Sequence, residues 1–362
     1  MNRLAGFFAQ QSRRPAGLVL ALASLGAPTA PAGETAAPNA FLGDLAAQAA
    51  AAEKDGRSAI AGRDGWLFFV PELRALSVGP FWGDRAAAVS RSSKPEYADA
   101  LAAIADFHAQ LKKADVELLI VPVPAKAVIY PEQVSTRVRP SADGPARRLD
   151  ANHEAFYRVL AECGVPVLDL TPLFLAQRSS AGSALYCKTD THWSGRAVAL
   201  AAQAVAQHVQ ARPWLKQAQR TRYESEPRDV TITGDLARMV DEAHPVGETL
   251  ALTFTGTRSG GALAPIAPVR DSPVLLMGDS HTLVFHDPDL FARGAGLPDH
   301  LALQLGFPVD LIGIRGSGAT TTRIELLRRR DNLRGKKLVV WCFSCREFTE
   351  SATGWRKVPV IR

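Results

Sequence analysis

The chain predicts an α/β fold, a three-layer sandwich around a mainly parallel sheet, and three observations carry that expectation. From about residue 95 to 343, short apolar runs alternate with amphipathic stretches of ten or more residues. Runs such as Val274-Leu275-Leu276-Met277 are apolar at every position, as strands buried on both faces are. The composition, 47% apolar and 22% charged over 362 residues, is ordinary for a globular protein with room for one large domain or two small ones.

The N-terminal 32 residues read as a leader. Arg3, Arg13 and Arg14 stand without an acid, an apolar run covers residues 16–27, and Ala30-Pro31-Ala32 supplies small residues for cleavage. The run is short against the roughly 20 residues of a spanning helix, so cleavage near Ala32 is expected, with a retained membrane anchor as the alternative. Residues 33–61 are rich in Ala and Pro and predict a linker, a tether or frayed helix that lies largely exposed. Order is expected to begin at residue 62, where Gly62-Arg63-Asp64-Gly65 turns into the aromatic strand Trp66-Leu67-Phe68-Phe69.

Periodicity then predicts a helix over 95–113, a strand over 117–121 and a loop marked by Pro122, Pro124 and Pro131. A helix over 148–162, a strand over 165–170 and an alanine-rich helix over 194–210 follow. Residues 212–270 break the rhythm with charged, Thr-rich and Gly-rich segments and predict an irregular insertion of short strands or loops. Alternation resumes with strand 274–277, helix 298–305, strand 309–314, helix 319–330 and strand 337–343. The expected domain is 62–350, with a tail over 351–362.

Charge excludes one class of partner. The leader carries three of the positive charges and no acid, which leaves +3 of the formal +6, and no basic run is interleaved with aromatics. Nucleic acid is therefore not expected. Four cysteines, Cys163, Cys187, Cys342 and Cys345, allow two disulfides in an oxidising compartment with three connectivities open. Cys342-Phe343-Ser344-Cys345 has CxxC spacing, but it ends a strand and has no second pair to complete a zinc site. His281, His286 and Asp287 do not form a zinc pattern either, so no metal is expected.

Two short segments carry the chemistry. Ser280 ends the run Val274 to Gly278-Asp279, on the turn at a strand's carboxyl edge where open α/β sheets build their sites. Asp190 and His192 lie two apart just before a helix, so one turn can present both to a single point. A hydroxyl activated by an imidazole, whose tautomer a carboxylate fixes, is a hydrolytic triad in the order Asp, His, Ser. The plainer readings are a helix cap for Asp190, a packed helix-start residue for His192 and a turn residue for Ser280. For the developing oxyanion the candidates are the Ser280 N–H and the loop Arg315-Gly316-Ser317-Gly318, with Arg315, Gly316, Gly318 and Arg346 as possible substrate contacts.

Taken together, these segments resemble the SGNH-hydrolase-like polysaccharide O-acetyltransferases of the alginate-acetylation type. Gly65-Trp66-Leu67-Phe68 is similar to the family's opening segment, and Val121-Pro122-Val123-Pro124-Ala125-Lys126 with Tyr130-Pro131-Glu132 to its proline-rich loop. Asp190-Thr191-His192-Trp193 resembles its Asp-x-His-Trp motif and Gly278-Asp279-Ser280 its nucleophile, while Gly234-Asp235-Leu236, Trp341 and Arg346-Glu347 match less specific segments. In ordinary SGNH hydrolases the Asp and His follow the serine; here they precede it, similar to the family's permuted order. From the short stretch after Glu347, no C-terminal carbohydrate-binding module is expected.

The resemblance implies a permuted SGNH-hydrolase-like fold and a periplasmic enzyme that places acetyl groups on an exopolysaccharide through an acetyl-serine. It implies no cofactor. The implied partners are a membrane-bound O-acyltransferase as acetyl donor, the polysaccharide acceptor and other polysaccharide-export proteins. A carbohydrate acetyl esterase would use the same three residues, and a non-catalytic polysaccharide-binding subunit would not require all of them.

Overall fold

The structure, a computed structural model, describes residues 32–139, 146–180 and 182–362. The expected leader lies outside the described residues except for Ala32. Among the described residues no helix is long and apolar enough to cross a membrane.

Four strands form the central sheet. With strands numbered along the chain, these are β3 (Glu117–Val123), β7 (Val274–Gly278), β8 (Asp310–Gly313) and β9 (Leu338–Ser344). They run parallel in the order β3-β9-β7-β8. β7 and β9 are buried at every position, which requires cover on both faces and accounts for their unbroken apolar runs. On one face, Phe107 of the helix Ala100–Lys113 meets Trp341 edge-on, and Arg323 of the helix Thr320–Arg329 lies 5.2 Å from the same ring. The α/β expectation is met, with strand bounds within three residues of those read from periodicity. The strand expected at 165–170 is only a parallel bridge from Val167 to Ile120, because Pro166 has no N–H to extend the ladder.

Three segments differ from expectation. The supposed linker is the helix Ala32–Lys54, followed by β1 (Ala59–Ala61), which pairs antiparallel with β2 (Leu67–Phe69). Phe41, Leu45, Ala49 and Ala52 recur about a turn apart and are buried in the core, so the helix is part of the domain. Its alanines hid that stripe, since alanine marks neither face of a helix.

The insertion is not irregular. β4 (Glu224–Thr233), β5 (Gly247–Ser259) and β6 (Ala262–Pro265) form an antiparallel sheet, with β4 and β5 in register from Glu224↔Gly256 to Thr233↔Gly247. One face is solvated and carries the exposed Thr231–Thr249 hydroxyl pair, while on the other Leu250 and Leu252 are buried in the core. A half-solvated sheet has few apolar residues per strand, which is why its sequence reads as loop. The supposed tail is also packed. Trp355, Val358 and Val360 are buried, and the Gln110 side chain accepts from the N–H groups of Val360 and Ile361.

Candidate active site

β7 delivers Ser280. Gly278 at its end lies so close to β9 that a side chain there would run into the Cys342 carbonyl. Asp279 follows and locks the turn: Oδ1 accepts from the His281 N–H at 2.9 Å, and Oδ2 from the Ser344 N–H of β9 at 2.8 Å. A short 3-10 turn, Ser280–Thr282, then lifts the serine hydroxyl to the surface. The Ser280 N–H opens this turn and has no acceptor among the described residues, so it is available to an oxyanion.

The opposite wall is the segment before the helix Gly195–Val209. His192 Nε2 lies 2.8 Å from Ser280 Oγ, and its Nδ1 lies 2.6 Å from Asp190 Oδ1. The same carboxylate oxygen accepts from the His192 N–H at 2.9 Å. The structure thus brings together Asp190, His192 and Ser280, and only Ser280 is appreciably exposed. Trp193 is buried beneath them and donates its indole N–H to the His281 carbonyl at 3.2 Å.

The charges are set by this packing. Burial works against ionisation of Asp190, but the adjacent His192 and the N–H groups of His192 and Asp235 outweigh it and hold the carboxyl well below the usual range. Burial likewise disfavours the His192 imidazolium, yet Asp190 outweighs it and raises the ring above an ordinary histidine. His281, with its ring centroid 4.8 Å from that of His192, goes the other way. Burial, only partly offset by Asp279, pushes it to about 4, so it stands neutral behind the site.

The other predicted contacts fare differently. Gly318 does not offer its N–H, which donates to the Glu347 carboxyl at 3.1 Å. Arg315 is turned to the surface and pairs with Asp287 at 2.6 Å and Asp289 at 3.5 Å. Gly316 is exposed in the same loop, with a left-handed φ of 76°. Arg346 is nearer to the chemistry: it is partly buried, donates to Ser344 Oγ at 2.9 Å, lies over the Phe69 ring and acts electrostatically on His192, His281 and Asp279.

Sequence reasoning assigned no role to Asp235, Glu248 or Lys126, which pin the Asp190 segment from three sides. The signal for Asp235 was present, since Gly234-Asp235-Leu236 stood out as a motif. Gly234 is needed there because a side chain would meet the Thr189 carbonyl. Ligand atoms of Asp190, His192 and Asp235 lie within 4.8 Å of one another, as a metal site would need. The oxygens of both carboxylates, however, already accept N–H or O–H hydrogen bonds from the loop itself.

The family described as "SGNH hydrolase-like domain, acetyltransferase AlgX" matches residues 59–345. The chain belongs to this family. It is 27% identical over 233 residues to a probable alginate O-acetylase AlgJ of Pseudomonas syringae pv. tomato, an alignment that covers 62% of this chain and 54% of that protein. It is 27% identical over 152 residues to the probable alginate O-acetylase AlgJ of Pseudomonas aeruginosa, covering 42% and 32%. The chain thus spans about half or less of the curated relatives it matches. Among solved structures, the O-acetyltransferase domain of Pseudomonas putida AlgJ superposes with a TM-score of 0.59 at 23% identity, over 81% of this chain and 92% of that one. Pseudomonas aeruginosa AlgX gives 0.57 at 16%, over 79% and 61%. The fold is therefore that of the SGNH-like proteins AlgJ and AlgX.

Proposed function

We propose that this chain is a periplasmic O-acetyltransferase that moves acetyl groups onto hydroxyls of an exported, alginate-like polysaccharide. The observation that carries the reading is the hydrogen-bonded line from Asp190 through His192 to a partly exposed Ser280, in a member of this family. The names of the AlgJ relatives support acetyl transfer to such a polymer.

Ser280 Oγ attacks the carbonyl carbon of the acetyl donor while His192 Nε2 takes its proton. The negative charge that gathers on the carbonyl oxygen is met by the Ser280 N–H. The intermediate collapses to acetyl-Ser280, and the leaving group departs with the proton held by His192. A sugar hydroxyl then attacks the acetyl carbonyl and gives its proton to His192, which returns it to Ser280 Oγ as the acetylated sugar leaves. Asp190 holds the Nδ1–H tautomer and stabilises the transient imidazolium. The proposed donor in the cell is a membrane-bound O-acyltransferase, with other polysaccharide-export proteins as neighbours, and the proposed route to the periplasm is the leader at residues 1–32.

The test incubates purified protein with an activated acetyl ester and acceptor oligosaccharides, followed by mass spectrometry. Acetyl-Ser280 and acetylated sugar are expected, and Ser280→Ala should abolish both while leaving the fold intact. Release of free acetate alone, indifferent to any acceptor, would identify an esterase. Full activity in Ser280→Ala would remove the mechanism.

A further inference from the structure

Residues 188–192, which carry Asp190 and His192, are held by two acids from the small sheet region. Glu248 of β5 accepts from the N–H groups of Lys188 and Thr189, both at 2.9 Å, and from Thr189 Oγ1 at 3.0 Å. Asp235, just beyond β4, accepts from the Thr191 N–H at 2.7 Å and from Thr191 Oγ1 at 2.6 Å. Its own N–H returns a bond to Asp190 Oδ2 at 2.8 Å. From the far side, the buried ammonium of Lys126 donates to the Asp190 main-chain carbonyl at 2.6 Å.

We infer that Asp235 is a positioning residue for the reaction, fixing the Asp190–His192 pair from outside it and biasing its charge, with Glu248 holding the same segment by geometry alone. The bond from the Asp235 N–H occupies the Asp190 oxygen that His192 does not use, so the carboxylate has one orientation left. The two bonds to Thr191 fix the residue between Asp190 and His192. A third effect is electrostatic: Asp235 is close enough to favour the His192 imidazolium, as Asp190 does. The other groups facing His192 include Ser280, the Thr191 hydroxyl at 3.4 Å from Nδ1, the neutral His281 and Arg346, which opposes the imidazolium. Glu248 on β5 and Asp235 just beyond β4 thereby give the small sheet and its connection a place in the chemistry.

The role in catalysis rests on the acetyl-serine reading, but the positioning itself is measurable without turnover. In Asp235→Asn, NMR titration of His192 should show its pKa lowered and the downfield Nδ1 proton weakened. The kcat should fall on the order of 10- to 100-fold, the cost of a slightly misplaced catalytic pair, with KM for the donor ester little changed and the acid limb of the rate profile moved down. Thr191→Val removes the hydroxyl's bond to Asp235 and its 3.4 Å contact with His192 Nδ1 but leaves the Asp235 charge, so it should lower kcat while moving the limb less than Asp235→Asn does, and it serves as the second test if Asp235→Asn does not fold. A folded Asp235→Asn with wild-type kcat and an unmoved His192 titration would overturn the inference, as would Thr191→Val at full kcat. Ser280→Ala run alongside separates the two ideas. Full turnover in that variant would refute the acetyl-serine step while the His192 titration still reports on Asp235.

Discussion

His192 is a buried imidazole whose proton affinity is raised chiefly by the Asp190 carboxylate and further by Asp235, and a pH dependence follows directly. In the proposed mechanism His192 must be neutral to accept the Ser280 proton, so activity should rise with pH through a value above that of an ordinary histidine. Asp190→Asn removes the charge that raises it. The limb should then move to lower pH while kcat falls by about 10⁴-fold, the scale seen when such a carboxylate is lost elsewhere; an unmoved limb would show that another group titrates. Glu347 gives a stability prediction instead. Burial, then the charge of Asp279, raises its carboxyl from near 4.5 to about 7. Because the folded state holds the proton more tightly than the unfolded chain, this contribution is complete below about pH 4.5 and is lost as pH rises through 7. Thermal unfolding followed from pH 5 to 8 should show a decline in wild type that Glu347→Gln flattens, since Gln keeps an acceptor for the Gly318 N–H.

At the scale of elements, the helix Ala32–Lys54 makes the sharpest claim, because its sequence looks dispensable. Phe41 and Leu45 are fully buried in the core. Phe41→Ala should cost about 3–5 kcal/mol and Leu45→Ala about 2–5 kcal/mol in denaturant unfolding; values near zero would return the segment to linker status. Elements whose burial is spelled out in large apolar residues were legible: β7 and β9 read as strands because both their faces are covered. Elements that bury one face through small or widely spaced residues were not, as with this helix and the antiparallel β4–β5 pair. The site divides similarly. Asp190, His192 and Ser280 were legible because their residue types and their places at a helix start and a strand end point one way. Glu248 was not, since an isolated acid in a Thr-rich strand signals nothing until the fold sets it against Lys188 and Thr189.

Across the whole molecule, the last twelve residues close the face of the central sheet on which Trp341 lies. Trp355 packs against Trp341, Phe343 and Phe348, and donates its indole N–H to the Glu347 carbonyl at 3.1 Å. Trp355→Ala should therefore cost about 3–5 kcal/mol although it lies outside the site. Since Phe343 and Glu347 flank Arg346, kcat should fall as well, on the scale of a small misplacement rather than the loss of a catalytic group. A variant with wild-type unfolding and activity would show this segment to be an appendage after all.

The order of the central sheet has a consequence for how the chain folds. β9 is last in sequence yet lies between β3 and β7, which do not pair with each other. As the chain emerges from its N-terminus, β3 and the pair β7-β8 have no shared partner until residues 338–344 arrive. Contacts of such sequence separation form slowly. The Ser280 turn is tied to the same event, because Asp279 holds it to Ser344. Until that strand seats, the Ser280 turn has its local bonds but lacks its tie to Ser344, so in the proposed mechanism activity should appear only in chains that have placed β9 in the middle of the sheet.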